Sequence, residues 1–121
     1  MRIIDDDPKF SYSALSWVLA LMRVNIDKGS TKDIREEIER ATGRRIHPSN
    51  FVKIKNWMVK YGILEKVGFE YRKTGDYGAV KRVNIYKINH DYLDYLVFTR
   101  WSKTTILFDR AHRWASRPIK R

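Results

Sequence analysis

Residues 31 to 64 constrain the chain most, because they spell two short amphipathic helices that lead through a turn directly into a strand. Thr31, or Ser30 with Asp33 three residues on, caps the first helix. Ile34, Ile38 and Ala41 recur at helical spacing, and Gly43 stands where a left-handed residue ends it. After a turn carrying Arg44 and Arg45, Pro48 and Ser49 open the second helix, whose Phe51, Ile54, Met58 and Tyr61 form one apolar stripe closed by Gly62. Opposite that stripe, at about 100° per residue, lie Ser49, Lys53, Asn56 and Lys60, flanked by Asn50 and Trp57 on one side and Val52 on the other. No acidic residue falls between Gly43 and Leu64. The rest of the chain reads as support for this unit.

Upstream, residues 1 to 10 suit a loop, with Asp5, Asp6 and Asp7 ahead of Pro8. Ser11 or Ser13 caps a long helix in which Leu15, Val18, Leu19, Met22 and Ile26 make a core stripe. Trp17 and Leu21 make it apolar on a second side, so it is either central or shared with a partner, and Asp27, Lys28 and Gly29 end it. Downstream the period changes from helical to alternating. Val67, Phe69 and Tyr71 alternate with Lys66, Gly68, Glu70 and Arg72, and Val83, Ile85, Tyr86 and Ile88 supply a second run rich in β formers. Between the runs, Gly75 and Gly78 allow the positive φ of a hairpin loop. Arg72, Lys73, Lys81 and Arg82 flank its tip, with Tyr77 as an exposed aromatic.

At 121 residues the chain is one domain, and at 43% hydrophobic residues it can bury a core unaided. Cysteine is absent, which excludes disulfides and thiolate sites and fits a reducing compartment. No run of about eighteen apolar residues spans a bilayer and the first residues resemble no secretion signal, so the expected setting is cytoplasmic and nucleoid-associated, with no membrane partner. The net charge of +11 is clustered. Residues 1 to 43 are nearly neutral, residues 44 to 64 carry five basic and no acidic side chains, and residues 99 to 121 carry a balance of +6. Clustered lysine and arginine on an exposed helix, a hairpin and a tail suit a polyanion, since each phosphate contact releases a counterion.

Catalysis has no foothold in the sequence. His47, His90 and His112 form no metal-ligand spacing and read as surface or capping residues, and three adjacent carboxylates in a terminal loop read as solvated. Phosphate loops and dinucleotide fingerprints are missing. The expectation is no enzymatic activity, no cofactor and no metal.

The order helix, helix, helix, hairpin resembles the winged helix-turn-helix family of DNA-binding domains over residues 11 to 88. Thr31 to Gly43 match the supporting helix, Pro48 to Tyr61 the recognition helix, and Arg72 to Arg82 the wing. The corner Lys60-Tyr61-Gly62-Ile63-Leu64-Glu65-Lys66 is the most specific piece. The resemblance implies an α+β, mostly α fold: a three-helix core with a β-hairpin wing and a C-terminal helical extension. It also implies sequence-specific binding of double-stranded DNA, as in a transcriptional regulator. Ser49, Asn50, Lys53 and Asn56 would then reach base edges in the major groove, while Lys60, Arg44 and Arg45 hold phosphates. Arg72, Lys73, Tyr77, Lys81 and Arg82 would follow the backbone or a minor groove. A DNA-binding module of a replication or partition system, or a winged-helix protein-interaction module, are the alternatives. The turn from Gly43 to Pro48 is longer than in the simplest helix-turn-helix, and Trp57 is expected to pack against the wing or the C-terminal segment.

Residues 89 to 121 form the extension. Asn89 and Asp91 cap a helix in which Tyr92, Leu93, Tyr95, Leu96, Val97, Phe98 and Trp101 are too apolar to face water all round, and Ile106 to Trp114 continue the pattern before a basic end. Either one long helix seeks a partner, making a homodimer through these residues, or two helices fold back over the core.

Overall fold

The computed structural model describes residues 7–74 and 78–101. Helix α1 (Tyr12–Met22) is followed by a two-residue strand β1 (Lys28–Gly29), helices α2 (Thr31–Thr42) and α3 (Pro48–Lys60), and the hairpin β2 (Leu64–Thr74) and β3 (Ala79–Ile88). A short helix α4 (His90–Tyr95) then runs into a π-helical turn (Leu96–Arg100). The strands form one antiparallel sheet in the order β1-β3-β2. This is a small α+β arrangement compatible with winged-helix topology, and its sheet has one strand more than the expected hairpin.

The extra strand arises because α1 stops at Met22, a turn short of its apolar stripe. Arg23 N–H closes the helix on the carbonyls of Ala20 and Leu21, and the chain then extends. Ile26 still packs on the core, so an extended segment mimics the helical spacing. Lys28 and Gly29 pair with Lys87 and Tyr86. Gly29 is required by crowding, since a Cβ there would stand 2.9 Å from Asp33 Cβ. Ser11 caps α1 by accepting from Ala14 N–H, and burial of Leu15, Val18, Leu19 and Leu21 makes the helix central.

Helix α2 begins with a full capping box: Ser30 accepts from Asp33 N–H, and the Asp33 carboxylate accepts from Ser30 N–H, each at 3.0 Å. Gly43, at φ 71°, ends the helix in the left-handed region. The long turn that follows is pinned, because Ile46 is buried and its N–H donates to Glu39 Oε2 at 2.7 Å. His47 then caps α3 by accepting from Ser49 N–H on Nδ1, and Pro48 starts the helix.

The core joins Leu15, Ile34, Ile38, Phe51, Met58, Ile63, Leu64, Ile88 and Leu93, all essentially inaccessible. Within the described residues the extension lies against the core as far as residue 101. Leu93, Leu96, Val97 and Trp101 are buried in the same core, leaving Tyr95 and Phe98 exposed. Asn89 stands at the N-cap position of α4 but spends its amide on the Gly62 carbonyl, at 2.6 Å. Asp7, expected to be solvated, accepts from the Tyr92 hydroxyl and pairs with Arg100, and Phe10 meets Trp101 edge to face. Asp5, Asp6 and residues 102–121, with Ile106 to Trp114 and the basic tail, lie outside the described residues. No helix among the described residues is long and apolar enough to cross a membrane.

Candidate nucleic-acid interface

Phe51 and Met58 anchor α3, and Ile54 joins them half-buried. With that side fixed, helical geometry turns Ser49, Asn50, Lys53, Asn56 and Lys60 to solvent, and all five are exposed. Val52 and Val59 share the outward side, at 44% and 37% exposure, and supply apolar contact points among the polar groups. Lys60 lies over the Tyr61 ring, 5.3 Å from its centroid. Trp57 is half-buried against the core, and its ring meets that of Tyr61 at a tilt, 5.9 Å between centroids. With Trp17 it lines an aromatic hollow beside the start of α1, with Lys53 at its edge and no lining residue from the hairpin.

The hairpin adds a cleft of about 560 Å³ on the other flank of α3. Its walls carry Lys32 from the first turn of α2, Lys55 from α3, and Arg72, Lys73, Lys81 and Arg82 from the hairpin. Lys55 and Lys32 are additions to the residues expected from sequence. On a helical wheel Lys55 adjoins the apolar stripe and reads as a mere flank; only β3 gives it a partner, with its Nζ 5.2 Å from the centroid of the buried Tyr86 ring. Lys32 has no signal in the linear pattern, because its value depends on where the hairpin returns. Arg44 and Arg45 line a separate hollow at the α2–α3 turn with Arg35, Glu39 and Arg40, and it shares no lining residue with the cleft. Tyr77 lies outside the described residues.

Arg72 does something other than wait for phosphate. Its guanidinium donates to both oxygens of Asp33, at 3.1 and 2.8 Å, to Ser30 Oγ at 3.4 Å and to Glu70 at 2.5 Å. It fastens the hairpin to the start of α2 and neutralises two carboxylates beside the cleft, leaving the field there to the lysines and Arg82. The same contact holds the Asp33 carboxyl down at about 2; hydrogen bonds from Ser30 add to the effect and burial opposes it. Asp33 is therefore stabilising as the anion. Its contribution is complete above its ordinary value near 3.8 and is lost as pH falls toward about 2. Acid unfolding followed by circular dichroism should lose stability over that window, and Asp33→Asn should flatten this part of the curve. Superimposable acid limbs would show that the contact does not matter to the fold.

Compared with protein-family models, curated proteins and solved structures, the chain matches none.

Proposed function

We propose that the chain binds double-stranded DNA in the manner of a winged helix, with α3 in the major groove and the hairpin along the backbone, and that it acts as a sequence-specific regulator. The observation that carries this reading is the outward face of α3: Ser49, Asn50, Lys53, Asn56 and Lys60 stand exposed on a helix with no carboxylate, beside a cationic cleft. Asparagine can donate to and accept from adenine together, and lysine donates to guanine, so Asn56, Asn50 and Lys53 provide readout. Lys55, Lys73 and Lys81 are placed to take phosphates, which fixes register without reading sequence. Val52 and Val59 suit thymine methyl groups.

Selection from random duplexes, followed by anisotropy titrations on the recovered site, tests the assignment. A palindrome with half-sites one helical turn apart supports a dimeric regulator, whereas tandem repeats favour a replication module. Lys53→Ala combined with Asn56→Ala should cut discrimination between the selected and scrambled sites by roughly 10- to 100-fold while non-specific binding persists. Failure to bind any duplex at low ionic strength, or unchanged selectivity in the double variant, overturns it.

A further inference from the structure

The hairpin carries a second surface that groove reading does not use. Phe69 and Tyr71 alternate to one face of β2 and are 48% and 66% exposed. Their rings meet edge to face at 5.6 Å. The strand register sets Arg82 opposite Tyr71 and Asn84 opposite Phe69, and the Arg82 guanidinium lies over the Phe69 ring with Cζ 4.1 Å from its centroid. Two aromatic rings and a guanidinium plane are thereby held together at the surface, and no helix among the described residues covers them. The sequence alternation marks these aromatics as one strand face, yet that face is not the core: from Leu64 to Lys73 of β2, Leu64 alone is buried.

What fits such a face follows from its neighbours. Arg82 and Asn84 belong both to this face and to the cationic cleft, so a ligand lying on the rings meets Lys55, Lys73 and Lys81 next. The adjacent carboxylates, Asp33 and Glu70, are both held by Arg72. The occupant must therefore combine flat π surfaces with repeated negative charge. Paired bases in a duplex interior keep their faces covered and offer only edges and backbone. Unpaired nucleotides offer both features, and stacking on aromatic side chains tolerates any base.

We propose that Phe69, Tyr71 and Arg82 form a stacking platform for single-stranded nucleic acid, whose phosphates run into the cleft lined by Lys55, Lys73 and Lys81. The proposal rests on the nucleic-acid reading of the cleft but not on base recognition by α3. Bases stack on the two rings and on the Arg82 plane, and Asn84 offers its amide to a base edge. Because both ligands bring phosphates to the same lysines, the chain takes either a duplex with α3 in its groove or an unpaired strand with its bases on the hairpin rings.

The test uses the full chain with a fluorescein-labelled 15-nucleotide oligodeoxythymidine and, separately, the selected duplex, both followed by anisotropy at one salt concentration. The wild type is expected to bind the oligodeoxythymidine. Phe69→Ala and Tyr71→Ala should each weaken that binding about tenfold, with duplex affinity changed less than about twofold. Tyr71→Phe, which keeps the ring, should retain single-strand binding, and circular dichroism of each variant checks folding. Single-strand binding that is absent, or unchanged in the combined Phe69→Ala, Tyr71→Ala variant, overturns the platform while leaving a duplex-binding α3 standing. Equal losses on both probes overturn it as well. A sedimentation mass above one chain that the double variant returns to a single chain assigns the face to a second copy instead. If neither probe binds, the platform and the duplex reading fall together.

Discussion

Phe51→Ala is expected to destabilise the protein by about 3–5 kcal/mol, read as a fall in Tm of roughly 10–20 °C. Phe51 is fully buried in the first turn of α3, and its ring lies 6.1 Å from the Trp17 ring on α1. Truncation removes burial and leaves a void between two helices that the sheet and extension hold in place, so the site cannot collapse to fill it. A domain of this size has about 5–15 kcal/mol in total, so much of that margin is lost. The consequence for binding is indirect: α3 keeps its outward residues but loses the side chain that fixes its rotation. Chemical denaturation that gives less than about 1.5 kcal/mol would mean that α1 and α3 rearrange around the gap, contrary to the packing described.

The second large effect belongs to the cleft. Lys55→Ala, Lys73→Ala and Lys81→Ala together should weaken duplex binding by about a hundredfold at low salt, taking roughly 1 kcal/mol for each phosphate deprived of its lysine. The loss should fall equally on selected and scrambled sites, because phosphates carry no sequence. The slope of log affinity against log salt should shrink by about 2–3, near 0.9 for each phosphate. Lys55 is the informative member, since it separates a cleft that works as one surface from a hairpin that works alone. If the triple variant binds with unaltered slope, the phosphates run elsewhere, and the separate group at Arg44 and Arg45 becomes the place to look.

Local rules made α2 and α3 legible in the sequence: Ser30 with Asp33, Gly43, Pro48 and Gly62 are punctuation whose chemistry acts over three or four residues. The outward residues of α3 followed from the same periodicity, because Phe51 and Met58 fix which side is in. What stayed hidden depends on contacts between distant segments. Lys28 and Gly29 look like the end of a helix until β3 lies beside them. Arg72 reads as one more basic residue on a wing, and its partner Asp33 is 39 positions away. Lys55 and Lys32 join the cleft only through the return of the hairpin. Trp57 was legible as a packing ring, but the expected neighbours were the wing or the C-terminal segment. The hollow it lines is built with α1 instead, a choice that depends on how distant segments meet around α3. The alternation of Val67, Phe69 and Tyr71 revealed a strand and concealed that its apolar face extends past the core into water.

The sheet order leaves β2 on the outside, so one rim of an eleven-residue ribbon presents amides and carbonyls that meet no strand among the described residues. Such a rim invites another ribbon to zip onto it, more so with Val67, Phe69 and Tyr71 along its length. The irregular register between Lys66 and Gly68 bends that rim, and Glu65, Lys66, Glu70 and Lys73 string alternating charges along it. A straight incoming strand can follow neither the bend nor the charge order for more than a few residues. The kink in the backbone and the order of the charges thus work against strand addition along this rim, even where its rings face water.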